Sequence, residues 1–125
     1  MKDVNGKIQY KGKDYKLVFN LNVMEEIQEE YGSVEKWGSL CEPTKDANVE
    51  PDVKAIKYGF RAMINEGIDI SNEENGTDDP PFTLKQIGRM ISELGTDKTM
   101  AALNKTVVES AKSNVKNASS TKKKK

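Results

Sequence analysis

Histidine is absent from this 125-residue chain, and cysteine occurs once, at Cys41. Without histidine there is no imidazole general base, no Ser-His-Asp triad and no histidine ligand for zinc. A single cysteine excludes an intrachain disulfide and a metal cage built from cysteines. Carboxylate chemistry stays formally open, but adjacent acids such as Glu25 and Glu26 are usually only the solvated face of a helix. We expect a protein that is not an enzyme and that has no catalytic residue, cofactor or metal.

Long apolar runs and phosphate-binding glycine patterns are also missing. No stretch approaches the roughly 20 apolar residues that cross a bilayer, and residues 1–6 contain no signal-peptide core. The acidic segment around Gly76 does not fit a calcium-binding loop, because Ser71 and Phe82 fall where carboxylates are required. The sequence predicts a cytoplasmic protein without a membrane segment.

The charges balance overall but are unevenly distributed. The net charge is zero, yet residues 1–16 carry +3, residues 17–95 carry −9 and residues 96–125 carry +6. The acidic middle argues against a broad nucleic-acid surface on the folded part. The lysine run at 122–125 can contact phosphates, so a small nucleic-acid-associated protein that uses this tail stays an alternative. A purely solubilising role of the tail is the simpler interpretation.

Alternating residues predict an antiparallel β-hairpin over residues 7–19. Gly12 lies in a turn between the two strands, and Tyr15, Leu17 and Phe19 alternate with the outward-facing Lys16 and Val18. An isolated hairpin is marginal in water, so its apolar face is expected to pack against helices.

Capping residues and apolar spacing predict about five helices, at residues 22–31, 34–41, 51–66, 84–94 and 97–112. Asn22 is the expected N-cap of the first helix, and Thr83 with Gln86 forms a capping box for the fourth. Gly67 is expected to end the third helix. Gly59 inside it indicates either close approach of another backbone or plain tolerance, and tolerance is the simpler interpretation. Residues 68–81 then read as an acidic loop.

The resulting fold class is mainly α (α+β), with the hairpin packed on a bundle of about four to five helices. One globular domain spans residues 1–112, and a basic, disordered tail spans residues 113–125. We expect the core to be anchored by Tyr15, Leu17, Phe19, Ile27, Tyr31, Trp37, Phe60, Phe82 and Ile87.

The last helix carries a thin apolar stripe. Met100, Leu103 and Val107 fall on one face, and the residues around them are small or polar. The stripe either closes the core or is offered to a partner helix. If the protein binds a client, these three residues are the predicted contact.

Four segments, taken in order and spacing, resemble the tail assembly chaperones of long-tailed (siphovirus-type) bacteriophages of Gram-positive bacteria. These are residues 10–20 (YKGKDYKLVFN), 23–33 (VMEEIQEEYGS), 56–66 (IKYGFRAMINE) and 82–89 (FTLKQIGR). Proteins of this family typically begin with a hairpin that leads into a Glu-rich helix ending in Tyr-Gly. The resemblance covers residues 7–112.

The resemblance implies a small, mainly helical protein of the bacterial cytoplasm that is absent from the mature virion. Its partners would be the long, helical tape-measure protein, which it coats, and the major tail-tube protein, which it recruits. Such proteins are often made in a short form and a frameshifted long form, and the terminal lysine codons suit frameshifting. Self-association or pairing with the long form is therefore expected, whereas a host-directed protein of phage origin stays a further alternative.

Overall fold

The computed structural model describes residues 6–42 and 50–123, with side chains of the last helix described as far as Ser110. In these residues a two-stranded antiparallel hairpin precedes five helices, which confirms the predicted fold class. The elements are β1 (Lys7–Tyr10), β2 (Lys13–Lys16), α1 (Leu21–Tyr31), α2 (Val34–Cys41), α3 (Val53–Asn75), α4 (Leu84–Leu94) and α5 (Thr96–Lys123).

The hairpin turns tightly at two residues that both have left-handed backbones, Lys11 (φ 51°) and Gly12 (φ 76°). Turns of this kind match the right-handed twist of paired strands. Strand β2 ends at Lys16 rather than at the predicted Phe19, because the chain there bends onto α3, where the Val18 N–H donates to the Met63 carbonyl at 3.2 Å. Val18 is buried, so the expected outward position of its side chain was wrong.

Helix α3 is the centre of the molecule, since it packs against the other four helices and β2. Its predicted end at Gly67 was wrong, and so was most of the predicted acidic loop over 68–81. The helix begins after the N-cap Asp52 and runs to Asn75, where Gly76 ends it with a φ of 66°. Gly67 lies inside the helix, next to the Lys16 carbonyl oxygen. A Cβ at this position would overlap that oxygen, so glycine is needed here for the close approach of the two backbones and not to end the helix.

The observed N-cap of helix α1 lies two residues before the predicted one. The N-cap is Asn20, whose side-chain oxygen accepts from the Val23 N–H at 3.2 Å, and the predicted cap Asn22 lies inside the helix. The side-chain amides of Asn20 and Asn22 both donate to one carboxylate oxygen of Glu66, at 2.8 and 3.0 Å. The start of α1 is thereby tied to the middle of α3.

The only tryptophan connects α2 to α3. The Trp37 Nε1–H donates to the Ala55 carbonyl at 2.9 Å, and the ring lies directly over Gly59. A Cβ at Gly59 would overlap the ring, so this glycine is required for close packing and the expectation of mere tolerance was wrong.

Helix α4 has the predicted bounds and both halves of the predicted capping box. Gln86 accepts from the Thr83 N–H at 2.8 Å, and the Thr83 hydroxyl accepts from the Gln86 N–H at 3.1 Å. Just before the cap, the backbone N–H and carbonyl of Phe82 are both bonded by the Asn65 side chain, at 2.8 and 3.0 Å. The entry to α4 is therefore fixed to α3.

Helix α5 returns to the beginning of the chain. The buried Thr106 hydroxyl accepts from the Gly6 N–H at 3.0 Å, and the Ser110 hydroxyl donates to the Phe19 carbonyl at 2.9 Å. The helical backbone reaches Lys123, beyond residue 112. The side chains of the predicted tail, residues 113–125, lie outside the described ones.

The expected core anchors fall into two groups. Leu17, Phe19, Ile27, Trp37, Phe60 and Ile87 are buried in the core. Tyr15, Tyr31 and Phe82 are partly buried and pack against it. Two edge-to-face ring pairs, Tyr15 with Phe82 and Tyr31 with Tyr58, extend the core toward the surface.

Candidate functional site

The three residues predicted to contact a partner lie on one face of α5, but they are not equally accessible. Leu103 is only 2% exposed and belongs to the core. Met100 and Val107, one turn to either side, are partly buried and pack on the core from outside. The predicted surface is therefore reduced to Met100 and Val107, with Leu103 beneath them.

Helix α2 faces this stripe and completes a shallow groove of about 100 Å³, which we call the α2–α5 groove. It is lined by Trp37, Gly38, Cys41, Glu42, Met100, Leu103, Asn104 and Val107. Glu42 and Asn104 are exposed, whereas Trp37, Cys41 and Leu103 are buried. The groove thus combines an apolar floor with polar groups, the usual character of a small protein-binding cleft.

Local sequence explains why α2 forms this wall. The Ser33 hydroxyl caps the helix by accepting from the Lys36 N–H at 3.0 Å, and Trp37 with Cys41 one turn later faces inward. Gly38, between them, leaves open space, since a Cβ there would meet no other atom within 4 Å. The absence of a side chain at Gly38 leaves room in the groove.

The thiol of Cys41 is chemically quiet. Burial, followed by the negative charges of Asp52 and Glu42, raises the pKa of Cys41 from its ordinary value of 9.0 to about 12. The reactive form of a cysteine is the thiolate, which this environment disfavours. Cys41 therefore acts in the groove as a small apolar side chain.

Sequence reasoning identified the α5 half of the groove but missed the α2 half. Trp37 was predicted as a core anchor, and its edge also lines the groove. The available signal was the sequence Trp37-Gly38, followed by Cys41 four residues after the tryptophan, which places an unoccupied position between two apolar side chains. This pattern indicates a groove only when α5 is known to lie opposite α2.

Other site classes have little support in the part of the chain that the structure describes. Among the described side chains, those of residues 6–42 and 50–110, no group of three cysteine, aspartate or glutamate residues is arranged to hold a metal ion. Within residues 6–42 and 50–123, no helix has both the length and the apolar character needed to cross a bilayer.

Comparison with known proteins gives no match to a family, a curated protein or a solved structure.

Proposed function

We propose that this protein is a phage tail assembly chaperone that binds the tape-measure protein and recruits tail-tube subunits during tail morphogenesis. The sequence resemblance over residues 7–112 motivates the proposal. The structural observation that carries it is the α2–α5 groove, which offers a shallow apolar contact rather than a catalytic pocket.

The dimensions of the groove suit weak, repeated contacts with a long helical client. At about 100 Å³ it has room for a single apolar anchor and is far smaller than the roughly 300–1,000 Å³ of a typical small-molecule site. An anchor from an amphipathic helix would lie between Met100 and Trp37, as in other helix-in-groove complexes. Weak contacts of this kind allow arriving tube subunits to displace the chaperone.

The proposed chaperone has a specific cellular location and a longer, frameshifted counterpart. The protein acts in the cytoplasm of the infected or lysogenic host and is absent from the finished virion. We further propose that it is the short form of a frameshifted pair, with a slippery run of adenines in the lysine codons of residues 122–125. A longer product that shares this sequence should be detectable by mass spectrometry of cells that express the intact locus, and failure to find it would remove this part of the proposal.

Affinity purification from cells expressing the native gene neighbourhood tests the function. The tagged wild-type protein should recover a long helical protein together with a tube subunit. If it recovers neither, or only a host enzyme, the chaperone function is wrong.

Variants of Gly38 test whether the α2–α5 groove is the contact. Gly38→Leu places a side chain in the open space of the groove, and Gly38→Ala is the matched control because it adds only a methyl group. We expect Gly38→Leu to reduce client recovery at least about tenfold, equivalent to ~1.4 kcal/mol, and Gly38→Ala to retain it. Equal recovery with both variants would place the client elsewhere.

A further inference from the structure

A second concave surface lies between the hairpin and the start of α4. The hairpin contributes Tyr10, Lys11, Lys13 and Tyr15. Phe82, Gln86 and Arg89 form the other wall. We call this cleft of about 350 Å³ the hairpin groove. Its described lining comprises three aromatic rings, three cationic side chains and one amide, with no carboxylate.

Strand register explains how the rings and charges come together. Ile8 pairs with Tyr15 and Tyr10 pairs with Lys13, so these four side chains share one face of the hairpin. Ile8 is buried, and the same face continues outward through Tyr15 to Tyr10 and Lys13. The core therefore supports the inner end of the groove, while its outer end is open.

The other wall is rigid at its base. Asn65 holds both backbone groups of Phe82, and the Phe82 ring meets the Tyr15 ring edge-to-face at 5.3 Å between centroids. Gln86 and Arg89 follow on α4 at a spacing of three, which places them on neighbouring turns of one helix face. The groove is thus preformed and does not require folding of a loop.

The cations of the groove are available to an anionic ligand. The Lys11 ammonium lies over the Tyr10 ring, 5.4 Å from its centre, and the Lys13 ammonium over the Tyr15 ring at 5.7 Å. Both lysine side chains are exposed, so each can turn to a phosphate while a base takes its place on the ring. Lys13 also contacts the Asp79 carboxylate at 3.5 Å, but both side chains are more than half exposed, at 57% and 53%. Exposed pairs of this kind contribute little, so a ligand phosphate can replace Asp79.

We propose that the hairpin groove binds single-stranded nucleic acid, with bases against Tyr10 and Tyr15 and phosphates at Lys11, Lys13 and Arg89. Aromatic platforms interleaved with cations are the common basis of single-strand binding, since every base has a face that can stack. Base pairs in a duplex do not present these faces to a side wall. An acidic peptide would use the charges but not the rings, so the single strand accounts for more of the lining.

This activity is separate from the proposed chaperone function, because the hairpin groove and the α2–α5 groove share no residue. It also differs from the tail-based alternative, because the ligand contacts the folded part of the chain. The hairpin groove lies in the basic N-terminal part and on α4, outside the acidic α1 face.

Fluorescence anisotropy with the full chain and fluorescein-labelled oligo(dT) or oligo(U) tests the proposal. The triple substitution Lys11→Gln, Lys13→Gln and Arg89→Gln should reduce affinity at least about tenfold. It should also lower the slope of log affinity against log salt by about 2, because each lost phosphate contact in a single strand removes ~0.7. All three side chains are exposed, so the fold should be retained.

Two controls distinguish binding in the hairpin groove from non-specific attraction to positive charge. The matched triple Lys54→Gln, Lys98→Gln and Lys105→Gln removes the same charge from exposed positions outside the groove and should change affinity less than about threefold. Tyr10→Leu keeps an apolar side chain but removes the stacking face, and it should weaken binding about tenfold, as loss of one stacked base does. Binding by Tyr10→Leu is measured at a temperature below its own unfolding midpoint, so that a loss of affinity reports the missing ring and not unfolding.

Several results would overturn the proposal. Binding that survives the groove triple but is lost on deleting residues 122–125 would assign it to the tail. Equal competition by duplex DNA, or by poly-glutamate at the same charge concentration, would show that the rings play no part. Absence of binding by the wild-type chain at low salt would remove the activity altogether.

Discussion

Gly59 and Gly38 look alike in the sequence, since each lies within a helix next to an aromatic residue. In the structure Gly59 contacts the Trp37 ring, whereas Gly38 faces the open α2–α5 groove. The two glycines therefore respond to the same substitution in opposite directions.

We expect Gly38→Ala to raise the free energy of unfolding by about 0.5–1 kcal/mol, because alanine favours the helix and meets no neighbour. Gly59→Ala should lower the free energy of unfolding by about 1–3 kcal/mol, because the added methyl group would displace the Trp37 ring and distort its hydrogen bond to the Ala55 carbonyl. Urea denaturation of both variants measures the difference. A stabilised Gly59→Ala protein would contradict the packing of Trp37 on α3.

Cys41 gives a prediction about pH. Its pKa is raised to about 12 by burial and nearby carboxylates, so above pH 9 the unfolded chain releases a proton that the folded chain retains. The free energy of unfolding should therefore fall as pH rises from about 9 to 12, by at most ~1.4 kcal/mol per pH unit from this group. Burial also raises the pKa values of Tyr31 and Tyr58, which act in the same direction.

Thiol labelling and alkaline denaturation check this prediction. At pH 8 the native thiol should react with a disulfide reagent on the order of 100-fold more slowly than in urea. The variant Cys41→Ala should show a weaker decline in stability between pH 9 and 12 than the wild type. Rapid native labelling would contradict the buried position of Cys41.

At the scale of the elements, α1 has two candidate N-cap residues, Asn20 and Asn22. Asn20 and Asn22 both donate to Glu66, but only Asn20 caps the helix. We expect Asn20→Ala to cost about 1–2 kcal/mol, because it removes the cap and one hydrogen bond. Asn22→Ala should cost less than about 1 kcal/mol, since its bond is exposed. Thermal unfolding of the pair measures the order, and the reverse order would restore the cap predicted from sequence.

Sequence alone predicted the elements whose signals are local. Helix α4 is the clearest example, because Thr83, Gln86 and the apolar spacing all lie within the helix or next to it. The predicted α3 was too short, because a glycine such as Gly67 after an apolar stretch is a common signal for the end of a helix. Its actual role depends on the Lys16 carbonyl, which is 51 positions away in the chain and comes close only in the folded protein.

The candidate sites divide in the same way. The α5 side of the α2–α5 groove was predicted from the spacing of Met100, Leu103 and Val107, although Leu103 proved to be buried. The α2 side and the whole hairpin groove depend on how helices and strands are placed against one another. Such placement comes from tertiary packing, which no local pattern in this sequence specifies.

At the scale of the whole molecule, a buried hydrogen bond joins residues that are 100 positions apart, Gly6 and Thr106. Thr106→Val keeps the shape but leaves the Gly6 N–H without an acceptor, so we expect a loss of about 1–3 kcal/mol. Thr99→Val is the matched control, because Thr99 is equally buried but its hydroxyl bonds only to Gly95 one turn earlier. Urea denaturation should show a larger loss in the free energy of unfolding for Thr106→Val. Equal losses in the two variants would show that the long-range bond does not contribute to stability.

The contacts of Gly6 and Phe19, on either side of the hairpin, with helix α5 also have a consequence for folding during synthesis. The hairpin is synthesised before α5, and Gly6 and Phe19 obtain their partners only after Thr106 and Ser110 have been added. Until then the apolar face of α2 and α3 that α5 covers is open to proteases and to other nascent chains. A product that stops before residue 106 lacks both of these bonds, so its core should stay more open to proteases than that of the longer chain.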